Sequence, residues 1–159
     1  MVKKHQIALF LNTSTTGTAA YKRIKKSTEL TISLNPETVD YDYIADESPT
    51  TELDKYKPSI NQPLTMYEGE DDFDYIFSLF KNMSVGNDAK TKVMVVFMFD
   101  GDATNGYTAW ESDCVISITE MNGVASTITF SILFGGTVSK GTATISAGVP
   151  TFTESSAGE

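Results

Sequence analysis

The chain has 159 residues, 40% of them hydrophobic and 11% aromatic, with 12 basic and 21 acidic groups and a net charge of −9. This is enough for one globular domain with its own core, and it excludes a disordered chain. The single cysteine, Cys114, excludes an intrachain disulfide and points to a reducing compartment or to independence of oxidation. The longest unbroken apolar run, Val93–Phe99, is far too short to cross a bilayer, and no membrane partner is expected.

Charge is unevenly spread. Residues 1–26 carry Lys3, Lys4, Lys22, Arg23, Lys25 and Lys26 and no acid, while every acid follows. So acidic a chain is a poor match for nucleic acid over a broad face, because affinity there comes from neutralising phosphates. The asymmetry instead lets one copy's basic end meet another copy's acidic surface.

In chain order, "MVKKHQIALFLNTSTTG" has a basic start and an apolar patch, Ile7–Leu11. The patch is shorter than a signal-peptide core and no small-residue cleavage site follows closely, so a strand is expected. "YKRIKK", Tyr21–Lys26, interleaves an aromatic with four cations. It reads as an exposed edge strand protected by lysines, as a surface for a neighbour's acids, or as a small nucleic-acid patch. "TELTISLN" alternates Leu30, Ile32 and Leu34 with Thr31 and Ser33, the period of a half-buried strand.

Asp40–Tyr67 is expected to belong to a long loop over about 35–60 and beyond: Pro49, Pro58 and Pro63 punctuate it, with scattered acids. It also carries Tyr41, Tyr43, Ile44, Leu53, Tyr56, Ile60 and Leu64, too many apolar bodies for a free linker. Next, Phe73, Ile76, Phe77, Phe80 and Met83 recur at helical spacing. They predict an amphipathic helix over about 70–83, with Phe73, Ile76, Phe77 and Phe80 as its core face and Gly86 as a stop. Glu70, Asp71, Asp72 and Asp74 at its start suit the helix dipole, and the acidic run is read as helix decoration rather than a cation site.

"KVMVVFMF", Lys92–Phe99, is apolar on both faces, so both should be covered. "DGDATNGYTAWE" places Asp100, Asp102, Thr104 and Glu111 at calcium-loop spacing, but Asn105 stands where glycine is required and the flanks are strand-like, so a tight turn is expected. Asn122-Gly123 between two β-rich runs predicts a type I′ hairpin, after which Gly135-Gly136 continues a β-meander. A flexible tail is expected over about 152–159. The whole is one mainly β domain, a two-sheet sandwich or rolled barrel with one flanking helix.

Nothing in this pattern carries catalysis, a cofactor or a metal. His5 is the only histidine, no Cys/His pair has ligand spacing, and no phosphate-binding glycine loop is present. A carboxylate pair is the remaining catalytic option, though nothing selects one. A β-sandwich that binds carbohydrate or a host surface is an alternative, with Tyr107 and Trp110 as the sugar platform.

Longer strings add a resemblance. "YKRIKKSTELTISLNPETVDYDYIADESPTTELDKYKPSINQPLTMYEGEDDFDYIFSLF", "VMVVFMFD", "AWESDCVISI", "STITFSILFGGT" and "KGTATISAGVPTF" together cover nearly the whole chain. They resemble the tail tube (major tail) proteins of long-tailed bacteriophages of Gram-positive hosts. The resemblance implies a structural virion protein and no enzyme. Such proteins form hexameric rings, one sheet of each subunit contributing to a β-barrel, stacked into a hollow tail tube that delivers DNA. It further implies tape measure, tail tip or baseplate, and terminator partners, assembly in the host cytoplasm, and residence in the virion tail. The inner tube of a contractile tail or of a phage-tail-like bacteriocin is the near alternative. On this reading Tyr41, Tyr43, Ile44, Asp46, Glu47, Leu53 and Tyr56, with Lys22, Arg23, Lys25 and Lys26, are the expected inter-subunit contacts. DNA passes a wall that is either acidic or neutral, with Thr127, Thr129 and Ser131 as candidate neutral lining.

Overall fold

The computed structural model describes residues 1–14 and 17–155. Its elements, in chain order, are β1 (Ile7–Asn12), β2 (Tyr21–Arg23), β3 (Thr31–Ser33), β4 (Pro36–Tyr41), β5 (Thr50–Tyr56), β6 (Ser59–Thr65), α1 (Asp71–Asn82), β7 (Lys90–Asp102), β8 (Gly106–Asn122), β9 (Thr127–Phe134), β10 (Ser139–Ser146) and β11 (Val149–Glu154). The mainly β class with one helix is as the sequence predicts.

The large sheet runs β2-β1-β7-β8-β9-β6-β3, all antiparallel, while β4 and β5 pair only with each other. β8 is seventeen residues long, and its two halves have different neighbours on one edge. Cys114–Asn122 pair with β9, whereas Tyr107–Glu111 pair with β10, which carries β11 on its far side. The expected meander is therefore broken. After Gly135-Gly136 the chain crosses back to the unfilled half of β8 instead of pairing with β9, because that half holds free backbone donors and acceptors.

Side-chain alternation then builds two cores from the same strands. One face of β1, β7 and β8 supplies Leu9, Leu11, Val93, Val95, Cys114 and Ile116, which pack with Ile60, Leu64, Ile128, Phe130 and Ile132 and with Ile76 and Leu79 of α1. The opposite face supplies Ala8, Phe10, Met94, Val96 and Ala109, covered by Ala143, Ile145 and Phe152 from β10–β11 and by Tyr21 of β2. This is why "ALFL" and "VMVV" are unbroken apolar runs. Burial pushes the Cys114 thiol up to about 12.

The helix buries part of the expected face, with Ile76 and Phe73 on the core, adds Leu79, and leaves Phe77 and Phe80 largely out. Ile76, Leu79 and Asp72 are buried and Phe73 is half-buried, whereas Phe77 is 39% exposed, Phe80 37% and Met83 83%. Phe77 stacks between Phe73 and Phe80, at ring-centroid separations of 5.8 and 6.4 Å, along the outer flank. The apolar arc is simply wider than the strip of sheet it can cover. Asp72 anchors the start: its carboxylate accepts from the backbone N–H groups of Phe73 at 2.8 Å and Lys25 at 3.2 Å. The helix ends at Asn82, four residues before Gly86, and is capped by Met83, which is left-handed (φ 48°) and donates to the Phe80 carbonyl.

Two turns differ in kind from the expectation. Asn122 stays in register opposite Thr127, leaving a four-residue loop. Its side chain accepts from Val124 and Ala125 N–H, and Ser126 takes the positive φ that a type I′ turn would have placed on Asn122 and Gly123. The expected loop over about 35–60 contains a hairpin, β4–β5, and within the wider Asp40–Tyr67 segment Ile60 and Leu64 are fully buried. The expected tail from 152 begins as strand to Glu154; residues 156–159 lie outside the described residues.

Two stability tests follow from this packing. Ile76→Ala should cost about 3 kcal/mol, the usual scale for a buried large-to-small change, while Phe77→Ala should cost about 1 kcal/mol or less. Equal drops in denaturant midpoint would show the exposed stripe to be core after all. Gly141 lies where a Cβ would run into the Thr153 carbonyl oxygen of β11. Gly141→Ala should destabilise by about 3 kcal/mol through overpacking against backbone, and an unchanged midpoint would contradict that β10–β11 approach.

Candidate functional site

β3 and β6 do not end where the large sheet ends. They continue through Asn35 and Pro58 into β4 and β5, forming one long ribbon whose outer part leaves the body of the protein. Asn35 makes the joint. It takes the left-handed conformation (φ 48°), and its amide donates to the Lys57 carbonyl and to Ser59 Oγ, both at 2.9 Å. Glu37 lies between Lys55 and Lys57, 3.5 and 2.7 Å away, and its hydrogen bond from Lys57 holds it below the usual carboxylate range.

Beyond that joint the arm is bare. Every residue of β5 is exposed. Tyr41 and Tyr43 stack on each other at 5.6 Å, Ile44 at the turn is fully exposed, and Leu53 and Tyr56 are each half out. Between residues 36 and 57 stand seven acids against two lysines. A lone two-stranded hairpin is marginal in water, and this one carries apolar side chains that nothing among the described residues covers. The structure thus gathers Tyr41, Tyr43, Ile44, Asp46, Glu47, Leu53 and Tyr56 on one projecting element.

The cations lie elsewhere. β2 holds Lys22 and Arg23, and the chain from Ile24 to Ser27 crosses to β6, where Ser27 bridges Leu64 and Thr65 N–H donates to the Lys26 carbonyl. The arm leaves β6 at its other end, Ser59. Six residues of strand, roughly 20 Å, separate the two. Acidic arm and basic segment cannot meet within one chain. Lys22 faces Asp71 at 3.6 Å, Lys26 sits over the Tyr67 ring at 5.2 Å, and Arg23 donates to the His5 carbonyl. Tyr21 is tied inward: its hydroxyl donates to Glu111 at 2.8 Å, and burial raises it well above the ordinary tyrosine range. Lys22, Arg23 and Lys25 border an amphipathic cleft of about 440 Å³, together with Glu70, Asp71 and Asp72 of the helix start and the apolar Phe10, Met98 and Val149. Sequence reasoning missed this cleft, because its apolar wall comes from β1, β7 and the β10–β11 turn.

The calcium-like spacing is dispersed by folding. Asp102 caps its own turn, and N–H groups of Asn105 and Thr104 hold its carboxyl below the ordinary range. Asp100 accepts from the Thr108 hydroxyl, and Glu111 is committed to Tyr21. Among the described residues no cluster of His, Cys, Asp and Glu is placed to hold a metal ion. Tyr107 and Trp110 stand three apart on one strand and so point to opposite faces, Tyr107 into the second core and Trp110 onto Phe97. They make no sugar platform.

No protein-family model matches this chain, and no curated protein matches it either. Solved structures do. A chain from the tail of an empty gene transfer agent particle, refined with C6 symmetry, aligns over 87% of this chain and 98% of its own, at TM-score 0.61 and 16% identity. A chain of the native gene transfer agent virion aligns over 88% and 98%, at 0.60 and 14%. A chain of the sheath/tube terminator of an extracellular contractile injection system aligns over 88% and 96%, at 0.53 and 9%. The finer resemblance to long-tailed phages of Gram-positive hosts is not what these comparisons return. At such identities the likeness establishes the fold, and the fold is one found in particle tails.

Proposed function

We propose that this chain is a structural subunit that assembles with copies of itself into rings stacked as the hollow tube of a virion tail. The observation that carries the reading is the bare, acidic, tyrosine-bearing arm at one end of the molecule and the basic segment about a strand's length away at the other. A surface that complements a different surface of the same molecule makes a head-to-tail contact, which builds a column where its rotation does not close into a ring. Tyrosines suit such a contact, giving large area at low entropy cost with a polar tip that stays satisfied. Six copies per ring is the stoichiometry we adopt from the C6 tail. The finer assignments follow from the resemblance alone: DNA transit without tight binding, contact with tape measure, tip and terminator proteins, and assembly in the host cytoplasm. No catalytic role is part of the reading. The inner tube of a contractile tail is the second reading, favoured by the likeness to the injection-system chain.

Negative-stain microscopy across a concentration series is the first test. The wild type should form rings or tubes, and monomers throughout would overturn the proposal. Replacing residues 36–57 by Gly-Asn should leave a folded protein, because β3 and β6 still pair, yet abolish stacking; normal tubes from that variant would exclude the arm as the stacking element. Charge exchange sharpens the partner assignment. Asp42→Lys/Asp46→Lys/Glu47→Lys should lose assembly alone, and assembly should return when Lys22→Glu/Arg23→Glu/Lys25→Glu/Lys26→Glu is added to the same chain. Failure of the second set to restore assembly would separate the basic segment from the arm.

A further inference from the structure

We infer that Asn122-Gly123 is a self-modifying site, at which the folded chain converts the Asn122 amide into aspartyl and isoaspartyl carboxylates with water as the only co-reactant. The inference goes beyond the tube reading and does not rest on it. The sequence holds two Asn-Gly pairs, Asn105-Gly106 and Asn122-Gly123. Glycine after asparagine has no side chain to hinder the approach of its nitrogen to the asparagine Cγ. In the first step the Gly123 nitrogen bonds to Asn122 Cγ and the bond from Cγ to Nδ2 breaks. Ammonia leaves, carrying the proton that the Gly123 nitrogen gives up. Water then opens the five-membered imide. Breaking the new bond at Cγ restores the ordinary backbone with an aspartate; breaking the bond from the Asn122 backbone carbonyl to the Gly123 nitrogen leaves the chain running through Cγ, an isoaspartate. One water is consumed, one ammonia is released, and nothing is oxidised or reduced.

The fold treats the two pairs differently. Asn122 and Gly123 are exposed in the loop between β8 and β9, and Gly123 has open space around it. Asn122 Oδ1 accepts from the Val124 and Ala125 N–H groups, both at 3.0 Å. These bonds fold the side chain back along the loop, which brings its carbonyl carbon beside the Gly123 peptide. They also set two donors on the oxygen that becomes negative when the Gly123 nitrogen adds, the arrangement of an oxyanion hole. Among the described residues nothing accepts from the Gly123 N–H, so the attacking nitrogen has no hydrogen bond to give up. Asn105 is the internal contrast. Its Nδ2 donates to Asp102 Oδ2 at 3.1 Å and its backbone N–H to Asp102 Oδ1 at 2.7 Å. Gly106 is buried, already part of β8 and in register opposite Asp102, and an added Cβ there would lie 3.1 Å from the Thr142 Cβ. Turning its nitrogen onto the Asn105 side chain would take Gly106 out of the sheet. The same dipeptide is therefore locked at one end of β8 and open to reaction at the other. Conversion of Asn122 adds a carboxylate at the hairpin tip, where Val124 is fully exposed and no core is disturbed.

Peptide mass spectrometry after incubation of the folded wild type at mildly alkaline pH, in water labelled with heavy oxygen, is the test. Trypsin leaves both pairs in one fragment, Val93–Lys140, so a glutamate-specific protease is used, which cuts after Glu111 and Glu120 and separates them. The Asn122 peptide should take up one solvent oxygen and split into aspartyl and isoaspartyl isomers, at least about tenfold faster than the Asn105 peptide reacts. In the urea-unfolded chain the two pairs should react at similar rates, and Asn122 should react no faster there than in the folded protein. Slower reaction of Asn122 in the folded protein than in the unfolded chain would overturn the inference, because the two N–H bonds would then shield the amide. So would conversion of Asn105 as fast as Asn122 in the folded protein. Gly123→Val, which has room for its side chain, should fold with an unchanged denaturant midpoint and react about tenfold more slowly, its branched Cβ hindering the nitrogen. An unchanged rate in that variant, or an aspartyl product with no isoaspartyl, would show direct hydrolysis of the amide and overturn the cyclisation. All of these are read on the soluble chain, so the site stands or falls apart from whether tubes form.

Discussion

Everything in this fold hangs on the length of β8. A strand of seventeen residues has more edge than any one neighbour can fill, and backbone groups left unpaired in the interior are costly. β7 occupies one edge. β9 and β10 divide the other, and each brings its own layer. The result is one strand serving two cores, so that β1 and β7 beside it must be apolar on both faces. Cys114 and Ile116 belong to one core and Ala109 to the other, all on the same strand.

That division also sorts the surface. The half with β9, β6 and β3 packs its inner face on the first core and α1. The half with β10, β11 and β2 rolls over Phe10 and Met94 and leaves a cleft where the basic segment passes. Charge is gathered in two places: Lys22, Arg23 and Lys25 border the cleft beside Glu70, Asp71 and Asp72 of the helix start, and seven acids crowd the arm. The exposed phenylalanines of α1 lie outside this scheme.

Much of the element content was legible. Strict alternation in "TELTISLN" and "VASTITFSILF", unbroken apolarity in "KVMVVFMF" and the helical spacing around Ile76 each encode a local period that physics converts directly into a strand or a helix. The absence of histidine and cysteine pairs was equally plain. Turn chemistry was half legible: Asn122 does cap the hairpin, but with its side chain, a choice made by the register of the flanking strands.

By itself, then, the sequence determined local periods, charge asymmetry and the set of side chains able to mediate contacts. Three things waited for the tertiary structure, each because it depends on pairing between distant segments. Which half of β8 receives β10 is set by backbone groups left open after β9 has paired. Which part of a wide apolar helix is buried is set by the width of the sheet beneath it, so Leu79 goes in and Phe77 stays out. And Thr31, Asn61, Ser117 and Ser131, a hundred residues apart at the extremes, come to share one face only when four strands lie side by side in register, since alternation places each side chain up or down but only pairing says beside whom.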